Sequence, residues 1–201
     1  MIVFACLAAL WLALDVASKN LFNTAYAPGD VITEPIAGLF RFRLVHNTGA
    51  AWGMFGDSTF ALGVMSVVVC VALLAYLIVA SKDMNIGQVI GLALVFAGGI
   101  GNALDRFTLG YVVDFVDFTF IDFPVFNVAD IGVTCGFVIF IASMLYAWRK
   151  ADKHAAAASL IDSAIDSNED DADSEVESKK SASGENDTCS NDSKAEGPAA
   201  R

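Results

Sequence analysis

The chain has 201 residues, of which 56% are hydrophobic, and a mean hydropathy of +0.57. This composition is too apolar for an ordinary water-soluble domain of this length. The formal net charge of -11 is concentrated at one end, because residues 151–201 hold 13 of the 23 Asp and Glu residues. The rest of the chain has no basic excess, which argues against a nucleic-acid-binding protein.

Four apolar segments are long enough to cross a bilayer, whose hydrocarbon core of about 30 Å requires about 20 apolar residues in a helix. They are predicted at about residues 1–16, 60–80, 86–104 and 128–148. Such uniformly apolar runs are typical of helices, whereas barrel strands alternate. A secretory signal peptide is the alternative for the first segment, but it lacks a basic start and a clear cleavage site. We therefore predict an all-α membrane protein with four transmembrane helices.

The connections between these segments differ in length. The sequence SKDMN joins the second and third segments, so the two long connections must lie on the same side of the membrane. Apolar and basic residues alternate in FRFRL at 40–44, the period of a half-buried strand. Val112, Asp114 and Val116 would likewise share one face of an extended segment. We predict a small β-structured region formed by the two long loops.

Residues 1–150 are predicted to form one four-span domain. Residues 151–201 are predicted to be a disordered acidic tail, because they contain almost no large apolar side chains. Lys and Arg residues occur on both sides of the bundle, so the positive-inside rule alone does not orient it. We expect the short loop and both termini in the cytoplasm, because several cations on the other side belong to the motifs described next.

Charged residues near the ends of the spans each require a partner or a functional role, because burying a charged side chain at a helix centre costs about 2.5 to 3.5 kcal/mol on insertion scales. Asp15 and Lys19 have the i, i+4 spacing of an ion pair. Asp130 follows Asn127 at the expected start of the fourth span, where capping of the helix is an alternative to catalysis. Asp114 lies among apolar neighbours that would raise the pKa of an isolated carboxyl group.

Folding of both loops onto the bundle would bring Asp114 and Asp130 together. Two adjacent carboxyl groups tend to share one proton. The ionised group can then take a proton from water while the neutral group protonates a carbonyl oxygen, as in aspartic proteases. The sequence contains no GxSxG, HExxH, CxxC or Cys/His pattern, so serine-triad and metal mechanisms are not indicated.

Two other classes of function fit parts of the pattern. Paired carboxylates also serve as proton or cation relays in transporters, but those charges lie at mid-membrane depth, whereas these cluster near the span ends on one side. A purely structural membrane protein would leave the two aspartates without a task. Hydrolysis at the membrane surface is the favoured interpretation.

Five motifs follow one another along the chain: DVASK at 15–19, NTGAAWG at 47–53, GNALDR at 101–106, VVDF at 112–115 and FNVAD at 126–130. In this order, on a four-span frame, they resemble the bacterial lipoprotein signal peptidases, or signal peptidase II, over residues 1 to about 150. The acidic tail is outside the shared pattern. Gly132 stands where a serine often follows the aspartate in this family.

The resemblance implies roles for nine residues. Asp114 and Asp130 are expected to be catalytic. Supporting positions around the substrate or the aspartates are expected at Asn47, Asn102, Arg106 and Asn127. Structural or supporting roles are expected for Asp15, Lys19 and Asp105.

The resemblance also implies a substrate and a location. Members of the family cut a diacylglyceryl-modified prolipoprotein before its lipid-bearing cysteine, are blocked by globomycin, and use no metal or organic cofactor. We expect a monomeric, multi-pass protein of the bacterial cytoplasmic membrane, with membrane lipid as its other partner. The active site is expected at the extracytoplasmic face.

Overall fold

The computed structural model describes residues 1–49 and 58–184. Its elements, in chain order, are α1 (Ile2–Ala25), β1 (Phe40–Asn47), α2 (Thr59–Ala80), α3 (Ile86–Thr108), β2 (Val112–Phe118) and α4 (Val128–Gly184). Within this described part, four helices are long and apolar enough to cross a membrane, α4 through its segment Val128–Ala155. The predicted fold class, four apolar helices with a small sheet from the two long loops, is confirmed.

α3 is the central helix of the bundle. In its most apolar stretch 56% of the residues are buried, against 17% in each of the other three helices. Glycines allow α4 to approach it closely: a Cβ atom at Gly91 would lie 2.6 Å from the carbonyl oxygen of Gly136. Small residues at such contacts are typical of helix packing in membranes. α3 therefore positions the polar residues at its end against α1 and α4 together.

The sheet consists of β1 and β2 paired antiparallel, which confirms that both long connections lie on one side of the bundle. Its apolar face packs on the end of α1. Leu44, Val113 and Phe115 form a buried cluster there, and the rings of Phe22 and Phe115 stack at 4.2 Å. This packing fixes β2, and with it Asp114, relative to the helices.

Two helices continue past the ends of the predicted spans. α1 continues to Ala25 instead of about residue 16, and α3 continues to Thr108 instead of about residue 104. Hydropathy falls at Asp15 and Lys19, but both side chains are buried against partners within the bundle, so the helix does not need to end there. The hydropathy of a segment indicates whether lipid can surround it. A helix, however, can continue through polar residues whose side chains have partners within the bundle.

The fourth helix differs from the predicted tail. α4 extends to Gly184, so residues 151–184, predicted to be disordered, are helical here. Ala, Glu and Lys favour a helix once a preceding turn is formed, because extending a helix avoids the cost of starting one. Residues 1–147 form one compact unit, and the described residues from 148 onward form a second. Residues 185–201 lie outside the described part of the chain.

Candidate active site

Asp114 faces the end of the bundle together with Asn47 because of an irregularity in the sheet. The strand pairing shifts by one residue between Phe42 and Val45, so β1 has one residue more than β2 there. Such a β-bulge changes which residues of β1 share a face with Asp114. After the bulge Asn47 is paired with Val112, and its Nδ2 donates to Asp114 Oδ2 at 3.0 Å. An unbulged register would turn Asn47 to the other face.

The carboxyl group of Asp114 is almost completely removed from water, with 2% of the residue exposed. Its Oδ1 accepts a hydrogen bond from Asn127 Nδ2 at 2.7 Å, and Oδ2 accepts the bond from Asn47. Burial, and secondly the charge of Asp130, raise the pKa of Asp114 from 3.8 to about 7, although the two amide donors act in the opposite direction. Asp114 can therefore hold a proton near neutral pH.

Asp130 lies in the first turn of α4, where it takes part in capping the helix. Its backbone N-H donates to Asn127 Oδ1 at 3.0 Å, and Asn127 N-H donates back to Asp130 Oδ2 at 3.1 Å. This reciprocal pair is a capping box with aspartate in place of the usual glutamate. The other oxygen, Oδ1, accepts from Asn102 Nδ2 at 2.8 Å. Capping thus accounts for one oxygen of Asp130 and leaves the other directed toward α3.

Asn127 connects the two aspartates. It is fully buried, and its Nδ2 lies 2.7 Å from Asp114 Oδ1, 3.1 Å from Asn102 Oδ1 and 3.3 Å from the Val113 carbonyl oxygen. An amide nitrogen has two hydrogens for these three acceptors. The side chain therefore bridges β2 and α3 while its Oδ1 caps the turn that carries Asp130.

Lys19 stands behind this network, with 3% of its side chain exposed. Its Nζ lies 2.8 Å from Asp15 Oδ2, 3.2 Å from Asp105 Oδ2 and 2.9 Å from Asn102 Oδ1. The predicted i, i+4 ion pair is thus present and extends to a second carboxylate. Asp105 Oδ2 also accepts from the Val113 backbone N-H at 3.1 Å, which joins α3 to β2. The cluster ties α1, α3 and the sheet together beneath the two aspartates.

Arg106 borders the same space from α3. Its guanidinium donates to the carbonyl oxygens of Asn102 at 3.2 Å and Gly49 at 3.4 Å. Its positive charge interacts with the charges of Asp130 and Asp114. Nε of Arg106 is buried and has no hydrogen-bond partner among residues 1–49 and 58–184. A cation next to the aspartates can bind a polar or anionic group of a ligand.

A cavity of about 420 Å³ opens above the aspartates. Its polar wall contains five of the predicted residues, Asn47, Asn102, Arg106, Asp114 and Asp130. The rest of its lining is mainly apolar and aromatic, with Phe118, Phe123, Val125, Phe126 and Ile131. Sequence reasoning did not assign these side chains, although the density of aromatic residues in FTFIDFPVF was a signal. The cavity can hold an apolar chain with its polar group at the carboxyls.

All nine predicted site residues are brought together, five on the cavity and four in the network that supports it. Within the described ranges there is no group of three or more His, Cys, Asp or Glu side chains placed to hold a metal ion. The end of the NTGAAWG motif, residues 50–53, lies outside the described residues. The arrangement offers one buried and one half-buried carboxyl group, amide donors and one cation to a ligand.

A family model described as signal peptidase (SPase) II matches residues 7–146. The chain belongs to the signal peptidase II family. Membership confirms the predicted resemblance and the predicted class of enzyme, a protease of the aspartic type. The four spans confirm the coarse part of the predicted location, a multi-pass membrane protein.

The sequence matches to similar proteins extend over most of this signal peptidase II domain. The lipoprotein signal peptidase of Enterococcus faecalis is 37% identical over 145 residues, which is 70% of this chain and 89% of that protein. That of Nostoc punctiforme is 41% identical over 125 residues, 62% of this chain and 78% of its own length. A solved bacterial membrane enzyme is 29% identical with a TM-score of 0.66, covering 73% of this chain and 89% of that one. A second, at 1.9 Å, is 30% identical with a TM-score of 0.64.

Gly132 lies against Trp11 in this signal peptidase II family member. A Cβ atom there would lie 2.9 Å from Cδ1 and 3.0 Å from Cε2 of Trp11, and still closer to its Nε1. The indole of Trp11 thus occupies the space that a serine side chain would need. A side chain at position 132 and the observed placement of Trp11 exclude each other.

Proposed function

We propose that this chain removes the signal peptide from diacylglyceryl-modified prolipoproteins by cutting before the lipid-bearing cysteine, with Asp114 and Asp130 as the catalytic pair. The observation that carries the proposal is that Asn127 joins the buried carboxyl group of Asp114 and the half-buried Asp130 at one cavity. The names of the relatives, lipoprotein signal peptidases, support the choice of substrate.

The two aspartates divide the work of peptide hydrolysis. Asp114, whose pKa is raised to about 7, holds the proton and gives it to the oxygen of the scissile carbonyl. Asp130 lies in the first turn of α4, where the helix dipole favours a negative charge, and takes a proton from the attacking water. When the C–N bond of the tetrahedral intermediate breaks, Asp130 gives this proton to the leaving amine nitrogen, and Asp114 takes back its proton from the hydroxyl group as the carbonyl forms again. Because the groups interact, the titrations belong to the pair.

The remaining residues hold the substrate and the pair. Asn47, Asn102 and Asn127 orient the carboxyl groups through their amide N-H donors. Arg106 binds a polar group of the lipid or the peptide backbone, and Asp15, Lys19 and Asp105 hold the surrounding helices. The aromatic wall of the cavity suits an acyl chain or the apolar end of a signal peptide.

The sidedness follows from the substrate. A lipid anchored in the outer leaflet presents its scissile bond at the extracytoplasmic surface of the cytoplasmic membrane, so the loops carrying β1 and β2 belong on that side and both termini in the cytoplasm. Both aspartates come from the same chain, so one copy of the protein can form the complete site, and we propose that it acts as a monomer.

Cleavage of a purified diacylglyceryl-prolipoprotein by the reconstituted full-length protein tests this function. We expect globomycin-sensitive release of the signal peptide and a product whose first residue is the lipidated cysteine, identified by mass spectrometry. The unlipidated precursor is the control and should be a much poorer substrate. Absence of cleavage by a well-folded protein would favour the transport alternative.

The pH dependence of the reaction follows from the proton on Asp114. We expect kcat/KM to fall as pH rises through about 7, because the pair then loses the proton that Asp114 must donate. Initial rates between pH 5 and 9, with the folded fraction measured at each pH, check this. A rate that keeps rising to pH 9 would contradict the assignment of Asp114 as the acid.

Removal of the tail tests the division of the chain into a four-span domain and an extension. Truncation after Lys153 is expected to change kcat/KM less than about twofold, because the residues of the cavity and its supporting network all precede it. Activity is compared at equal amounts of inserted protein. A correctly inserted truncated protein without activity would assign the tail a role in the reaction.

A further inference from the structure

α1 holds the first turn of α4 at two consecutive residues. Trp11 Nε1 donates a hydrogen bond to the Val128 carbonyl oxygen at 3.1 Å. Asp15 Oδ1 accepts a hydrogen bond from the Ala129 backbone N-H at 2.8 Å. Trp11 and Asp15 are four residues apart and therefore lie on the same face of α1. The two bonds clamp one short piece of backbone from the same side.

This piece of backbone lies directly between Asn127 and Asp130. The first N-H groups of a helix have no acceptor within the helix, so the position of its first turn depends on bonds from outside. Asn127 and Asp130 satisfy two of these groups through their capping box, and Asp15 satisfies a third. A shift of residues 128 and 129 would therefore carry the Asp130 carboxyl with it.

The bond from Trp11 depends on the absence of a side chain at Gly132. Val128 and Gly132 are one turn apart on α4, so the indole that reaches the Val128 carbonyl crosses the backbone of Gly132. The carbonyl oxygen has two lone pairs and can accept both the indole and the helical N-H. Trp11 and Gly132 thus form a matched pair.

We propose that Trp11 is a positioning residue for Asp130, and that Gly132 is the position that admits its indole. The proposal rests on the proposed function, because it assigns Trp11 an effect on a catalytic carboxyl group. Trp11 touches neither the substrate cavity nor the aspartates; it acts through the Val128 carbonyl. A tryptophan that only filled space between helices would affect stability without affecting the chemical step.

The test compares four variants of the full-length protein with the wild type: Trp11→Phe, Trp11→Ala, Gly132→Ala and the double variant Trp11→Ala/Gly132→Ala. The matched control is Trp148→Phe, which removes an exposed indole that does not line the cavity. kcat, KM and the pH profile are measured with a diacylglyceryl-prolipoprotein, and thermal unfolding is followed in parallel.

We expect Trp11→Phe to lower kcat about 3- to 10-fold, the usual effect of one hydrogen bond, with KM changed less than about twofold. The alkaline limb of the pH profile should also shift, because the charge of Asp130 helps to raise the pKa of Asp114 and would be displaced. Gly132→Ala should lower kcat by about 10-fold or more, because its methyl group overlaps the indole. In the Trp11→Ala background the same substitution should cause no additional loss. Trp148→Phe should behave as the wild type.

Other results would overturn the inference in distinguishable ways. An unchanged kcat and pH profile in Trp11→Phe, or losses from Trp11→Ala and Gly132→Ala that simply multiply, would show that the pair does not position Asp130. Those outcomes leave the proposed function intact, since the wild type still cleaves. Absence of cleavage by the wild type itself would overturn both.

Discussion

Replacing Asp114 by asparagine is expected to lower kcat/KM for prolipoprotein cleavage by about 100- to 10,000-fold, the range contributed by a positioned acid or base. Asparagine keeps the shape of the side chain and can still accept the bond from Asn127. It cannot donate a proton to a carbonyl oxygen. The same loss is expected for Asp130→Asn, whose oxygens bond to Asn102 Nδ2 and the Asn127 backbone.

Asp114→Asn should not lower the stability of the fold, although it lowers kcat/KM. The pKa of Asp114 is raised by burial to about 7, so the folded state binds a proton that the unfolded chain releases near pH 3.8. The stability that this proton contributes is present at low pH and is lost as pH rises through about 7. At pH 8 the variant should thus be at least as stable as the wild type, and its stability should depend less on pH.

Unfolding in detergent at pH 5 and pH 8 measures the change in stability, and the cleavage assay measures the change in kcat/KM. Asp122→Asn is the matched control, because Asp122 is exposed in the loop after β2 and does not line the cavity. It should leave both quantities unchanged. Near-normal cleavage by Asp114→Asn and Asp130→Asn would refute the catalytic pair, whatever their stability.

Replacing Lys19 by methionine is expected to destabilise the bundle by about 3 to 5 kcal/mol, the usual effect of removing one partner from a buried ion pair. Methionine fills a similar volume but leaves Asp15 and Asp105 without the cation that lies 2.8 and 3.2 Å from them. Asn102 also loses the donor to its Oδ1. Loss of the folded fraction, followed by heat or denaturant in detergent, measures this.

A second substitution separates the loss of charge balance from the loss of packing. Asp15→Asn/Lys19→Met removes one carboxylate together with the cation and should be less unstable than Lys19→Met alone. Lys82→Met, at an exposed lysine of the short loop, should change stability by about 0.5 kcal/mol or less. Equal stability of Lys19→Met and Lys82→Met would mean that the buried cluster does not hold the helices.

The amino-acid sequence by itself determined much of this protein. Lipid accepts only backbones that satisfy their own hydrogen bonds, so four apolar runs had to be four helices, and the short SKDMN loop placed both long connections on one side. Asp114 and Asp130 could be singled out because carboxyl groups next to apolar segments are costly and therefore few. The order of five short motifs is enough to indicate the family, which the family model confirms.

The tertiary structure alone decided how these parts meet. The bulge between Phe42 and Val45, which turns Asn47 toward Asp114, depends on the pairing of two strands more than 60 residues apart. The continuation of α1 past Asp15 and Lys19 depends on partners supplied by α3 and α4. The bond from Trp11 to the Val128 carbonyl spans 117 residues. Local sequence patterns indicate which secondary structure and environment a residue favours. These contacts, in contrast, form only when segments that are distant in the chain pack together in one buried region. That packing sets the geometry of the two aspartates.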